Sequence, residues 1–185
     1  APIIDLFNRE AGGSIMDLGC YPVSLARYLF GQYVTITGSA EFVLPRGEGE
    51  NVFDSYAESH VTFADGVTGL IKTSNNVDPL KWSFVVTCEG GSIELSNLWD
   101  ESIEQQFIAL TPLDGDTPAR KILIPCDVNF YTLEIDTVNE CIIVGRVQPD
   151  APAMDWEDSV ENMRFLDAWR DAVGLRYPVD TIVLL

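Results

Sequence analysis

The sequence predicts an α+β fold, in which an open, mainly antiparallel sheet carries helices packed on one face. Three observations predict it: helical periodicity occurs near both ends of the chain, strand patterns with short turns fill the middle, and no long linker divides the 185 residues. A chain of this length can bury a substantial core as one unit, so we expect a single domain over residues 1–185.

The first helical segment, Asp17–Phe30, follows a Gly12-Gly13 loop. Its apolar residues recur at helical spacing, and Gly31 stands where a helix commonly ends. Pro22 disfavours the helical conformation at the residue before it, Tyr21. We therefore expect the stretch up to Tyr21 either to lead directly into the helix or to form a separate turn before it.

The residue pattern in the middle of the chain predicts strands. Residues 33–43 are rich in β-branched side chains, which favour extended structure. Further on, pairs of alternating segments flank short turns containing glycine or aspartate, the pattern of antiparallel β-hairpins. The three predicted hairpins pair Tyr56–Phe63 with Val67–Thr73, Trp82–Cys88 with Ser92–Leu95, and Gln105–Leu110 with Lys121–Ile124.

Two helices are predicted near the end of the chain. The first is Tyr131–Val144, which stops at Gly145, and the second is Trp156–Val173. Asp155 is placed to cap the second helix, and Gly174 follows it where a left-handed residue is needed.

The charge excludes two classes of partner. The chain has 29 acidic and 11 basic residues, a formal net charge of -18, which repels nucleic acid and anionic membrane surfaces. The acidic side chains are spread along the chain, so we interpret them as a solvated surface. They include Asp54, Glu58, Asp100, Glu104, Asp114, Asp155 and Glu161.

We expect a soluble protein, because the apolar stretches are too short to span a bilayer and no charged leader precedes one. Cys20, Cys88, Cys126 and Cys141 are widely separated, which favours reduced thiols in a cytoplasmic protein. His60 lies in a strand pattern without a second ligand at metal-binding spacing, so we predict no metal. The chain begins without an initiator methionine, and we expect it to be a fragment.

One pair of side chains is a candidate site by pattern alone. Asp17 and Tyr21 are four residues apart, so in helical geometry they project on the same side, beside a glycine-rich turn. A phenol next to a carboxylate can exchange protons. The alternative is that Asp17 caps a helix and Tyr21 packs with its hydroxyl hydrogen-bonded.

Two stretches of sequence carry a family resemblance. GGSIMDLGCYP at Gly12–Pro22, followed by LARYLFG at Leu25–Gly31, resembles the motif that opens the C-terminal domain of the glucose-fructose oxidoreductase, inositol dehydrogenase and rhizopine catabolism family. Cys-Tyr-Pro at residues 20–22 most resembles the branch with dihydrodiol dehydrogenase. The closing helices are also similar to the family's, at Tyr131–Asp136, Gly145-Arg146, Met154–Ser159 and Asn162-Met163.

The resemblance implies a fold like that of the C-terminal domains of dihydrodipicolinate reductase and glyceraldehyde-3-phosphate dehydrogenase. It also implies a hydride-transfer reaction. In such enzymes a nicotinamide exchanges hydride with a carbinol carbon while a side chain exchanges the hydroxyl proton. By resemblance, Tyr21 takes this acid/base role, and Asp17 orients the substrate hydroxyl or the acid/base residue. Tyrosine has an ordinary pKa of about 10, so it needs a nearby cation to act as a base.

The family supplies that cation as a lysine from a Glu-Lys-Pro motif in its nucleotide domain. This sequence contains neither that motif nor the glycine-rich turn that holds a dinucleotide. We therefore expect the N-terminal dinucleotide-binding domain to be absent from this chain. NAD or NADP would be bound mainly by that domain, and the chain alone would be inactive.

Five further residues are candidate contacts of a substrate. Arg27 could bind a substrate oxygen, although a salt bridge is the more common use of such an arginine. Asn129 and Phe130 precede a helix and could face the site, with capping or packing as the alternative. Trp82 and Trp99 could stack on a ring, although roles in the core or on a sheet face are more common.

These observations favour the substrate-side domain of an NAD(P)-dependent oxidoreductase acting on a sugar, polyol or dihydrodiol. A non-catalytic dimerisation or scaffold module built on the sheet is one alternative, and a carbohydrate-binding protein without redox chemistry is another. An open sheet tends to bury its uncovered face against another subunit, so we predict a homodimer or tetramer through the sheet.

Overall fold

The computed structural model describes residues 12–43, 52–75, 83–96, 98–99, 106–125 and 128–181. The chain divides into two compact units, one formed by Ala1–Val77 with Asp150–Leu185 and the other by Asp78–Pro149. The expectation of one domain over residues 1–185 stays a prediction. Trp82, Asp100, Glu104 and Cys126, which carried sequence predictions, lie outside the described residues.

The described elements confirm the α+β class. In chain order they are α1 (Ser14–Leu18), α2 (Cys20–Phe30), β1 (Tyr33–Val43), β2 (Phe53–Phe63), β3 (Thr68–Ser74), β4 (Ser83–Cys88), β5 (Gly91–Ser96), β6 (Gln106–Pro112), β7 (Arg120–Ile124), α3 (Phe130–Val144), α4 (Trp156–Val173) and a 3-10 turn (Pro178–Thr181). The strands form two sheets with orders β1-β2-β3 and β4-β5-β6-β7. All of their pairings are antiparallel.

The first predicted helix is in fact two helices that meet at Gly19. Pro22 has no N–H to bond to the carbonyl of Leu18, and its ring crowds that carbonyl. Accordingly α1 ends at Leu18 and α2 begins one residue after Gly19. Tyr21 lies inside α2 and not in a separate turn, and Gly31 ends α2 with φ 74° as predicted.

The first sheet turns one face toward the helices. Alternate residues of β2 are buried on that face: Ala57, Ser59, Val61 and Phe63. Helix α4 contributes Phe165, Leu166 and Trp169 to the same core, all of them fully buried. Burying each such apolar side chain stabilises the fold by about 1.5–3 kcal/mol. Helices therefore cover one face of this sheet, as predicted.

The turn before α1 is held by a buried carboxylate. Asp54, near the start of β2, accepts hydrogen bonds from the Ser14 hydroxyl (2.5 Å) and from the Ile15 backbone N–H (2.9 Å). The Ser14 hydroxyl also lies 3.0 Å from that of Thr73 on β3. Asp54 is 0% exposed, so the interpretation of this residue as part of a solvated surface is wrong. Its charge instead satisfies donors at the start of a helix, where they lack partners within the helix.

Gly13 permits this contact. Its φ is 110°, and a Cβ atom at this position would lie 2.1 Å from Asp54 Oδ1. Only glycine therefore combines the required backbone conformation with the close approach of the carboxylate.

The segment after α4 also holds the turn that precedes α1. The Tyr177 hydroxyl donates to the Gly12 carbonyl, and the Arg170 guanidinium stacks 4.6 Å from the Tyr177 ring centre. Arg170 also bonds to Asp180 Oδ2 at 2.8 Å and to Asp167 Oδ1 at 2.7 Å. Burial, followed by the charge of Asp54, raises the pKa of Tyr177, so this phenol remains a donor at neutral pH.

The second unit contains the other two predicted hairpins. β4 pairs with β5 and β6 pairs with β7, in the order expected for a meander. Asp114 organises the connection between β6 and β7, because its carboxylate accepts from the backbone N–H and the hydroxyl of Thr117. Helix α3 follows and ends at Gly145, as predicted.

Among the described residues, no helix combines the length and the apolar character that crossing a bilayer requires.

We predict that Gly13→Ala destabilises the protein more than Gly66→Ala. Both glycines have positive φ, 110° and 81°, but a Cβ atom at Gly66 would meet nothing within 4 Å. Gly66→Ala therefore measures the backbone strain alone, about 1–3 kcal/mol, and Gly13→Ala adds a steric cost of roughly 1–3 kcal/mol. Equal losses in the free energy of unfolding, measured with urea, would contradict the packing of Asp54 against Gly13.

We also predict that Asp54 makes the protein less stable as pH rises. Burial raises the pKa of Asp54, although its bonds to Ser14 and Ile15 lower it in part. The folded state then binds more protons than the unfolded state between the two pKa values, so the free energy of unfolding falls with pH in that window. Asp54→Asn lacks this titration, and its stability relative to the parent should rise as pH increases through that window.

Asp180→Asn is the matched control for this experiment. The hydrogen bond from Arg170 lowers the pKa of Asp180, so its stabilising contribution is lost as pH falls. The stability of Asp180→Asn relative to the parent should therefore fall with rising pH. A pH-independent difference between Asp54→Asn and the parent would show that Asp54 does not titrate differently on folding.

Candidate functional site

Asp17 and Tyr21 flank the junction between α1 and α2. Gly19 keeps helical dihedrals, φ -63° and ψ -25°, and its N–H bonds to the Ile15 carbonyl at 2.9 Å. The Val23 N–H in turn bonds to the Gly19 carbonyl at 3.1 Å. The helical path therefore continues across the junction, and residues four apart lie on the same side of it.

Both side chains are accessible. Asp17 is exposed, and Tyr21 is 51% exposed in the first turn of α2. Burial raises the pKa of the neighbouring Cys20 thiol, and the charge of Asp17 raises it further. The site therefore presents a phenol and a carboxylate to a ligand, beside a thiol that stays protonated at neutral pH.

Arg27 is occupied by a structural interaction. Its Nη1 donates to the Asp158 backbone carbonyl at 2.9 Å, and its Nη2 lies 3.5 Å from the Asp158 carboxylate. The side chain is only 8% exposed. The salt bridge that the sequence analysis held as the alternative is therefore present, and a substrate contact by Arg27 stays a prediction.

Asn162, which the sequence analysis named only within the family resemblance and not as a site residue, also lies in this region. It lies on α4, is 5% exposed, and donates from Nδ2 to the Cys20 carbonyl at 3.2 Å. The signal for it was present, since Asp158 and Asn162 are four residues apart and so share one face of α4. That face holds α2 at two places, through Arg27 and through Cys20.

Asn129 and Phe130 lie in the second unit. The Asn129 side chain caps α3 by accepting from the Tyr131 N–H at 2.8 Å. Phe130 begins α3, and its ring centre is 4.3 Å from that of Tyr131. Capping and packing, the alternatives given for these residues, are therefore what the structure shows. Contact with a substrate stays a prediction for both, and stacking on a ring stays one for the half-buried Trp99.

The described residues do not form a dinucleotide cradle. A pyrophosphate is usually held where a strand enters a helix through a glycine-rich turn. Here the connection from β7 to α3 is Pro125, Cys126, Asp127, Val128 and Asn129, and it contains no glycine. The described residues therefore do not fit NAD or NADP as a main binding site.

No cluster suited to a metal ion occurs within the part of the chain that the structure describes. His60 is exposed on β2.

Comparison with known proteins places this geometry in context. A curated relative, D-xylose 1-dehydrogenase (NADP(+)) 2 from Haloferax volcanii, is 26% identical over 163 residues, covering 85% of this chain and 45% of the relative. A levoglucosan dehydrogenase solved with NADH superposes with a TM-score of 0.72 at 16% identity, covering 94% of this chain and 52% of that one. The chain thus spans about half the length of the proteins it matches.

Two other solved structures share the fold. An aldose-aldose oxidoreductase from Caulobacter crescentus has a TM-score of 0.66 at 22% identity and covers 88% of this chain and 46% of that one. A 3-ketoreductase from Actinomadura kijaniata, solved with NADP, has a TM-score of 0.68 at 17% identity, covering 89% of this chain and 49% of that one. These likenesses confirm the predicted fold.

A sequence match to a family model supports the family resemblance. A family model described as GFO/IDH/MocA C-terminal domain matches residues 6–94, which include α1, α2 and the Asp17 and Tyr21 pair. Over these residues the chain is therefore similar to the C-terminal domain of the GFO/IDH/MocA family.

Proposed function

We propose that this chain is the substrate-side half of an NAD(P)-dependent oxidoreductase that transfers hydride between a nicotinamide and a carbinol of a sugar, polyol or dihydrodiol. One observation carries the proposal: the half-exposed phenol of Tyr21 stands beside Asp17 within the stretch that matches the family. A nucleotide-binding half, on a longer form of the chain or on a partner, would supply the cofactor.

Tyr21 is the proposed acid/base residue. When a carbinol is oxidised, the carbon gives up a hydride and the hydroxyl gives up a proton, which Tyr21 as phenolate accepts. The reverse reaction returns that proton to the carbonyl oxygen. A phenol with an ordinary pKa of about 10 needs a nearby cation for this role, and Arg27 is bonded to Asp158, so the cation would come from the nucleotide-binding half.

The remaining candidate residues have supporting roles in the proposal. Asp17 would orient the substrate hydroxyl or the phenol. Arg27, Asn129 and Phe130 are proposed as substrate contacts from the sequence alone. The hydrogen bonds of Arg27 and Asn129 support positioning and capping roles for these two.

The names of the relatives favour sugars as the first substrates to test. They include a xylose dehydrogenase that uses NADP, a levoglucosan dehydrogenase and an aldose-aldose oxidoreductase. A dihydrodiol substrate rests only on the Cys-Tyr-Pro resemblance at residues 20–22. We also propose a cytoplasmic setting, which the free thiols of Cys20, Cys88 and Cys141 support.

We predict that Tyr21→Phe lowers kcat by about 10²- to 10⁴-fold, the usual contribution of a general acid or base. The protein assayed is the longest natural reading frame that contains this chain, with aldoses and either NAD or NADP. Tyr28→Phe is the matched control, because Tyr28 lies on the same helix and is 63% exposed. Calorimetry on both lengths of the protein measures cofactor binding, which should occur only in the longer one.

Turnover by Tyr21→Phe at the parent rate would contradict the acid/base role. If the longer protein binds neither cofactor, the scaffold alternative replaces the oxidoreductase.

We predict, in addition, that the protein is a homodimer or tetramer through its sheets. The outer side of the first sheet carries Leu70, which is 51% exposed, in register with His60 and Thr37 on the neighbouring strands. Leu70→Glu should dissociate the oligomer in light scattering, whereas Val147→Glu, an exposed apolar position outside the strands, should not. A monomeric parent at micromolar concentration would contradict this prediction.

A further inference from the structure

We propose that Asn162 is a positioning residue for Tyr21, an inference that rests on the function proposed above for that phenol. Asn162 lies on α4, far from Tyr21 in sequence, and its side chain is 5% exposed. Its Nδ2 donates to the Cys20 carbonyl at 3.2 Å. That carbonyl belongs to the peptide group that joins Cys20 to Tyr21.

This hydrogen bond acts where the helix itself is weakest. Pro22 cannot donate a helical hydrogen bond to the Leu18 carbonyl, and α1 and α2 meet just before it at Gly19. The backbone that carries Tyr21 therefore has fewer internal restraints than the rest of α2. Asn162 supplies a restraint from a different element, and the rigid peptide plane passes it to the Cα–Cβ direction of Tyr21.

A second contact shows that the same helix face holds α2. Asp158, one turn before Asn162 on α4, binds Arg27 near the other end of α2. Two separated attachments fix both the position and the rotation of α2 against α4. The attachment at Asn162 is the one adjacent to the phenol.

The choice of asparagine is informative because the amide is not fully satisfied. Asn162 Oδ1 is buried and has no hydrogen-bond partner among the described residues. An unpaired buried acceptor destabilises a fold, so an apolar residue would serve packing at least as well. The amide is therefore explained by what Nδ2 does for the Cys20 carbonyl.

The test in the longer reading frame uses two substitutions at this position. Asn162→Leu removes the donor and should lower kcat by about 10- to 100-fold with little change in KM, as expected when a reacting group is misplaced. Asn162→Asp should be active at low pH, where the carboxylic acid can donate to the Cys20 carbonyl. It should lose activity as that acid ionises and repels the carbonyl.

The pH dependence of the parent's activity is the reference, because it already contains the effects of the other charged or titratable groups nearby. These groups are Asp17, Cys20 and Arg27 on α1 and α2, and Asp158 on α4. Leu175→Val is the control for general loosening of the core, because Leu175 is 1% exposed and follows α4 at its other end. It should keep the parent kcat. Near-ultraviolet circular dichroism checks that each variant is folded at the assay temperature.

A second readout uses the 185-residue chain and needs no activity. With ¹³C-labelled tyrosine rings, the Tyr21 signal is assigned by its loss in Tyr21→Phe. Asn162→Leu should shift or broaden this signal and leave that of the buried Tyr177 unchanged, whereas Leu175→Val should leave the Tyr21 signal in place.

The outcomes separate the two proposals. If Tyr21→Phe is inactive but Asn162→Leu keeps the parent kcat, the positioning role is wrong and the oxidoreductase stands. If Tyr21→Phe is fully active, the acid/base role is wrong and the ring spectrum alone decides whether Asn162 orders Tyr21. An unchanged Tyr21 signal in Asn162→Leu overturns the positioning role in either case.

Discussion

The arrangement of the first unit depends on the buried carboxylate of Asp54. It draws the Ser14 hydroxyl and the Ile15 N–H onto β2, and so fixes where α1 begins. A charge is costly to bury unless hydrogen bonds compensate it, and here the donors come from a helix start that would otherwise lack partners. Both bonds go to Oδ2, while Oδ1 has no hydrogen-bond partner among the described residues. The interaction thereby satisfies donors at the start of α1 and fixes the position from which the chain continues to Tyr21.

The contacts around the start of α1 join parts of the chain that are far apart in sequence. Tyr177, beyond α4, holds the Gly12 carbonyl, while Asn162, within α4, holds the Cys20 carbonyl. The segment that carries Asp17 and Tyr21 is therefore restrained on both sides of the helix junction. This placement matches what acid/base catalysis requires, since a proton is transferred efficiently only over hydrogen-bond distances.

The sequence predicted the features that depend on local pattern. The hairpins, the Asp155 cap and the Gly174 stop of α4 follow from periodicity and turn chemistry within short windows, and the structure contains each of them. Asp54 could not be recognised this way, because its burial arises from pairing with a turn far away in sequence. The contact of Asn162 was not predicted either, although its spacing from Asp158 is visible in the sequence, because its partner is the backbone carbonyl of Cys20, far away in sequence.

The division of the chain into units has a consequence for synthesis on the ribosome. The second unit is one continuous segment, Asp78–Pro149, whose hairpins need only neighbouring residues. The first unit also needs α4, which supplies Phe165, Leu166 and Trp169 to its core and is translated after the second unit. Until α4 has been synthesised, this helix cannot cover the apolar face of β1, β2 and β3. The second unit, in contrast, can already pair its own strands. That interval is when the nascent protein is most exposed to aggregation and most in need of chaperones.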